Sequence, residues 1–225
     1  MPVKKKRIPC ELTYLLGMIL MPFSVVLSIK ADLGLSMIAA PSYIISERFA
    51  FITTGQVEWA LQAVFLALMC VIIRRFRLTY LTSFLSALVY GALIDLFRFL
   101  LEPLVLQTLP LRITFFIAGM VLTSLSVALL FKNYLAPCAY DYFVRVVGEV
   151  KKLDMRKWKI AYDVGMLLLS VALSLILFRK LVGLSVGTVV LVICNGNIIS
   201  FFSKWLDKHF EYYDGLPLRK YFDVT

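Results

Sequence analysis

Charge is scarce in this chain. Only 17% of its 225 residues are Asp, Glu, Lys or Arg, against about 25% in soluble domains. A single histidine, His209, is present, in the polar stretch near the end. The four cysteines, Cys10, Cys70, Cys138 and Cys194, form no CxxC pair. Together these shortages argue against a metal centre built from Cys and His, and no metal or other cofactor is expected. No HExxH, GxSxG or P-loop pattern occurs, so no catalytic constellation is visible and no enzymatic activity is expected. Acidic residues are the scarcest charged class, 14 against 24 Lys and Arg, giving a net charge of +10. On a soluble protein that excess would point to nucleic acid. Here basic loops orienting a membrane protein explain it better, and no nucleic-acid partner is expected.

What the chain has is hydrocarbon. Hydrophobic residues make up 61% of it, and mean hydropathy is +0.87. A spanning helix needs about 20 mostly apolar residues. Six such runs fit, at roughly residues 11–29, 57–73, 78–100, 112–131, 160–178 and 181–203. The predicted fold is therefore an all-α polytopic membrane protein in one membrane domain over residues 1–225, with the bilayer as its surroundings. The basic start, Lys4-Lys5-Lys6-Arg7, precedes an apolar run without a small-residue cleavage site, and reads as a retained first helix. Two shorter apolar stretches, about 34–46 and 136–147, are too short to cross. Each reads as a half-helix dipping into the membrane or a helix lying at its surface.

Placing the start of the chain in the cytoplasm puts eighteen of the 24 Lys and Arg inside and six outside. That bias fits the positive-inside rule and sets both ends in the cytoplasm, with residues 208–225 as a tail.

The chain also repeats itself. A shift of 102 residues brings Gly17-Met18 onto Gly119-Met120, Ser24-Val25 onto Ser126-Val127 and Lys30 onto Lys132. A shift of 105 brings Gly91 onto Gly196, Phe97 onto Phe202 and Glu102 onto Asp207. Each half, about 11–102 and 112–207, contains three crossings. An odd number forces the second half to enter from the opposite side, which is the inverted-repeat architecture common in secondary transporters.

Four segments carry a family resemblance: Lys30-Ala-Asp-Leu-Gly-Leu-Ser36, Leu135-Ala-Pro-Cys-Ala-Tyr-Asp141, Lys159-x-x-x-Asp163 and Gly183-Leu-Ser-Val-Gly-Thr188. They resemble the YczE/YitT-like group of bacterial integral membrane proteins over about residues 12–207. Many members place a proline and then an acid after Gly-x-Ser, whereas Gly34-Leu35-Ser36 is followed by Met37 and no acid until Glu47. The resemblance implies this fold and a bacterial plasma-membrane location. It names no substrate.

Ionisable and amide groups at membrane depth are costly and mark candidate sites. Asn195-Gly196-Asn197 forms a polar break within the sixth run, readable as a solute site or as interhelical glue. Asp95 lies in the third run, as a site acid or as an interfacial acid paired with Arg98. Asp163 follows Lys159 by one helical turn, and Asp141 follows Pro137 within the second short segment. Lys30 and Lys132 end runs one and four, either snorkelling to headgroups or serving a site. The expectation is that Asn195 and Asn197 line a polar cavity between the halves, with Asp95 and Asp141 as its charged contributors. The leading reading is a small-solute or ion transporter or channel. The alternative is a non-transporting accessory protein of a membrane complex. A homodimer fits either.

Overall fold

A computed structural model describes residues 6–74, 79–133 and 138–215. Among them are eight helices and one two-stranded sheet, in the order β1 (Lys6–Pro9), α1 (Cys10–Ala31), α2 (Ala40–Arg48), α3 (Thr54–Ile73), α4 (Thr79–Leu100), α5 (Leu109–Leu130), α6 (Ala139–Val150), α7 (Met155–Phe178), α8 (Val186–His209) and β2 (Phe210–Tyr213). Six of the helices, α1, α3, α4, α5, α7 and α8, are long and apolar enough to cross a membrane. At about 1.5 Å per residue, a helix of about 20 residues covers the roughly 30 Å hydrocarbon layer. Of the residues used to orient the chain, Lys4, Lys5, Arg75, Arg77, Arg219 and Lys220 lie outside the described ones, as do residues 136 and 137 of the second short segment.

Local chemistry sets the boundaries. Pro41 and Pro110 stand in the first turns of α2 and α5, where a missing N–H costs nothing. Thr53 and Gln56 form a reciprocal capping box that starts α3, three residues earlier than hydropathy indicated. The sixth run was expected to begin near residue 181. Instead Gly183 takes a left-handed φ of 71°, and Ser185 caps α8 in a box with Thr188. The helix therefore starts at Val186 and runs through to His209.

The centre of the molecule is the antiparallel pair α1 and α5. Asn133 near the end of α5 donates to Thr13 near the start of α1, at 3.1 Å. Arg112 at the start of α5 donates to the Ala31 carbonyl at the end of α1, at 2.7 Å. Between these ends the contacts are reciprocal. Ser126 Oγ donates to the Gly17 carbonyl at 2.8 Å, while Gly119 lies so close to Ser24 and Ser28 that an added Cβ would sit 2.6 Å from Ser28 Oγ. Small residues that admit close backbone approach are the usual basis of tight helix pairing in lipid.

Around this pair, α4 packs on α1 and α8 on α5. The short helices are held inside the bundle: α2 packs on α3 and α7, and α6 on α7 and α3. The loop before α2 is fastened to the start of α8, with Leu35 N–H donating to the Gly183 carbonyl at 2.8 Å and Gly187 N–H to the Leu33 carbonyl at 3.0 Å. Gly34, with a φ of 127°, lies against Thr188 where a side chain would not fit.

One relation is lopsided. α3 and α4 pack along their length, with Gly55 and Gly91 in backbone contact. α7 and α8 make no comparable contact, and both Gly165 on α7 and Gly196 on α8 face open space.

The sheet was not foreseen. β1 and β2 pair in parallel, Lys6 opposite Phe210 through Pro9 opposite Tyr213. This joins the segment leading into α1 to the segment leaving α8, so both lie on the same face of the bundle.

Candidate functional site

A cavity of about 300 Å³ lies within the bundle and takes lining residues from all six long helices and from the entries to both short ones. α1 contributes Met21 and Val25, and the α8 side is Leu191, Val192, Asn195 and Gly196. Residues 36–39 lead into α2, and Cys138 caps α6; both stretches line the cavity. The starts of the two short helices therefore converge on it. Most of its wall is hydrocarbon. Its charge is gathered in four residues: Glu58 on α3, Asp141 on α6, and Lys159 and Asp163 on α7.

Lys159 holds the acids of α6 and α7 together. Its Nζ lies 3.1 Å from Asp163 Oδ1 and 3.5 Å from Asp141 Oδ1, and 5.4 Å from the centre of the Tyr162 ring. The Asp163 contact is ionic rather than a well-aimed hydrogen bond, since that oxygen has no hydrogen-bond partner among the described residues. The three side chains are between a quarter and two-fifths exposed, so the cluster is reachable from the cavity.

Glu58 is different. It is 2% exposed and stands one turn into α3. Gln62 Nε2 donates to its Oε1 at a long 3.4 Å, and Gln62 Oε1 accepts from the Ala139 N–H at 3.0 Å. That amide therefore ties Glu58 to the start of α6. The other carboxylate oxygen, Oε2, has no hydrogen-bond partner among the described residues, and neither does the hydroxyl of Tyr140 beside it. Phe65 on α3 packs edge to face against Tyr140 and Phe143 of α6 and Tyr162 of α7, and Trp158 lies tilted against Phe143. Burial pushes the Cys138 thiol well above its ordinary value, and the charges of Asp141 and Glu58 push the same way.

The structure divides the residues singled out from sequence. Asn195, Gly196, Asp141 and Asp163 meet at the cavity. Asn195 Oδ1 accepts from Ser124 Oγ at 2.8 Å, so it also ties α8 to α5. Asn197 is exposed and does not line the cavity, contrary to expectation. Two residues on a helix are about 200° apart, so Asn195 and Asn197 cannot share a face. Asp95 is also elsewhere. Its carboxylate accepts from the Gly55 N–H at 2.8 Å and from Thr53 Oγ1 at 2.6 Å, at the N-terminus of α3, where a negative charge is favoured. Nor does it pair with Arg98, which bonds Glu47 at 3.0 Å instead. Lys30 donates to the Glu102 carbonyl at 3.1 Å, and Lys132 pairs with Asp207 at 2.7 Å. Both stand at helix ends, away from the cavity.

Glu58 escaped the sequence reading because it is the second residue of its apolar run, at the edge. Two signals pointed to it. Gln62 lies one turn further on the same face, and the 105-residue shift that relates Gly91 to Gly196 also places Glu58 on Asp163.

The sequence pattern of a family of unknown function, DUF6198, matches residues 7–204, and the chain belongs to that family. No curated protein and no solved structure matches it.

Proposed function

We propose that this member of an uncharacterised family is a small-solute transporter or channel of the bacterial plasma membrane, not an enzyme, with its binding site between two inverted halves. The observation that carries the reading is the cavity: all six long helices line it, and a carboxylate-rich polar cluster sits inside an otherwise apolar bundle. A protein that only held helices together would gain nothing from leaving such groups beside a void, since each costs free energy at depth unless satisfied.

The reciprocal contacts support the inverted repeat. Gly17 meets Ser126 and Gly119 meets Ser24, pairs that exchange under the 102-residue shift. Lys30 reaches Glu102 and Lys132 reaches Asp207, again partners under the shifts. The likeness to YczE/YitT-like proteins agrees with this reading and adds no substrate.

With both ends in the cytoplasm, as the basic residues favour, the lopsided packing acquires a meaning. Gly55, Gly91 and Asp95 then close the outer end of α3 and α4. The inner ends of α7 and α8 stand apart. Exchanging these two arrangements between the halves would expose the cavity first to one side and then to the other.

The test uses a cysteine-free variant carrying single cysteines at Val192 or Gly196, which face the cavity. A membrane-impermeant maleimide is added to inside-out vesicles and to right-side-out vesicles. Labelling of both positions, from the cytoplasmic side in the resting protein, is the expected result. No labelling from either side would refute the reading and favour an accessory protein.

A further inference from the structure

The charges in the cavity do not cancel. Three carboxylates, Glu58, Asp141 and Asp163, face one ammonium, Lys159. The starts of α2 and α6 add about +0.5 each, which still leaves the site short of about one positive charge. Lys159 is committed to Asp141 and Asp163 at the α7 side. The carboxylate without a charged partner is therefore Glu58, 2% exposed, whose Oε2 has no close hydrogen bond among the described residues, with the Ser42 and Tyr140 side chains as its neutral neighbours. A buried carboxylate left like this is neutralised either by a proton or by a cationic hydrogen-bond donor.

The surroundings say which kind. Among the described residues no three His, Cys, Asp or Glu are grouped to hold a metal ion, so a divalent cation has no cage. The Tyr90 and Tyr140 rings line the same space, and aromatic faces attract organic cations. The opposite wall, from Met21 and Val25 to Leu191 and Ile199, is hydrocarbon and suits an apolar body. A cavity of about 300 Å³ is at the small end of ligand pockets.

Building on the transport reading, we propose that the solute is a small amphiphilic organic cation, an amine whose ammonium group bonds the Glu58 carboxylate while its apolar part lies along α1 and α8. The amine fills the missing donor at Oε2. Lys159 stays with its two aspartates and does not contact the ammonium.

The experiment is equilibrium binding to the purified full chain in detergent, by calorimetric titration. The probes are 2-phenylethylamine, its charge-reversed counterpart phenylacetate, and sodium ion. Saturable binding of 2-phenylethylamine below about 1 mM, with none of phenylacetate or sodium, is expected. Glu58→Gln should weaken it at least about tenfold, while Glu58→Asp, which keeps the charge, should retain most of it. Lys159→Gln should bind the amine at least as tightly as the parent. Size-exclusion profiles establish that each variant is folded, and Glu58→Asp serves if Glu58→Gln is not. Preference for phenylacetate, loss of binding in Lys159→Gln, or amine binding indifferent to the charge at residue 58 would overturn the proposal, as would no amine binding. Any of these alongside maleimide labelling of α8 leaves transport standing and removes only the cation. Amine binding without labelling removes transport instead.

Discussion

Gly91 and Gly196 fall on each other in sequence, yet the structure gives them opposite surroundings, and replacing each by alanine should separate them. At Gly91 an added Cβ would lie 2.5 Å from the Gly55 carbonyl oxygen, where ordinary contact begins at 3.4 Å. The obstacle is backbone on both sides, so relief requires α3 and α4 to move apart. Overpacking of this kind costs about 1–3 kcal/mol, and the better helix propensity of alanine returns at most about 1 kcal/mol. Moving α4 outward also lengthens the bonds from Asp95 to Gly55 and Thr53. Gly91→Ala should therefore lose about 1–2 kcal/mol net. At Gly196 the same Cβ meets nothing within 4 Å. Only the propensity gain remains, so Gly196→Ala should be neutral or stabilising by up to about 1 kcal/mol. Thermal unfolding of the two variants in the same detergent reads the difference, at about 2–4 °C per kcal/mol for a chain of this size. Equal destabilisation by both changes would refute the reasoning. It would mean that α8 is packed at Gly196 as α4 is at Gly91, and that the gap beside α7 does not exist.

Other outcomes follow from named contacts. Asp95→Asn should lower stability by about 1 kcal/mol, less than a fully buried charge-assisted bond because the site is only partly buried; an unchanged melting temperature would show that the carboxylate does not hold the start of α3. Asn195→Ala frees Ser124 Oγ from its partner on α8 and should cost about 0.6–1.7 kcal/mol, measured by the same melting assay, with no loss meaning that water replaces the bond at once. Lys132→Ala breaks a pair in which Lys132 is 16% and Asp207 56% exposed and should cost about 1 kcal/mol, leaving 2-phenylethylamine binding unchanged; weakened binding would bring Lys132 itself into the site. Reporter fusions after residues 107 and 225 should report opposite sides of the membrane, the second cytoplasmic, and a periplasmic reading at 225 would reverse the orientation argued from the basic residues.

The helical framework was readable because the bilayer leaves so few choices. Every crossing must satisfy its own backbone and show hydrocarbon to lipid, so an apolar run of the right length is nearly sufficient evidence for a helix. The ends were harder. Hydropathy cannot see that Thr53 and Gln56 cap α3 outside its apolar run, or that Gly183 and Ser185 delay α8. Of the candidate site, Asn195, Gly196, Asp141 and Asp163 were legible as polar groups in costly places. What polarity alone cannot report is direction. Asp95 is as polar as Asp141, yet it completes a helix N-terminus on its neighbour, and Asn197 lies on the far side of the helix that carries Asn195. Glu58 was passed over for the converse reason. Counted from the edge of the apolar run it lies at the border, but counted from its cap it is one turn deep, and α2 and α6 cover it.

The small sheet bears on the order in which the molecule can be completed. β1 precedes every long helix in the chain and β2 follows the last of them, so their paired residues lie 204 positions apart, as Arg7 and Glu211 do. During synthesis Lys6–Pro9 must wait, unpaired, until all six long helices have been made. Its composition suits the wait. Lys6 and Arg7 repel stray strands, and Pro9 offers no N–H, both of which discourage premature edge pairing. When Phe210–Tyr213 finally emerges, closing the sheet ties the first helix to the last, and the bundle acquires that fastening only once the whole chain is in place.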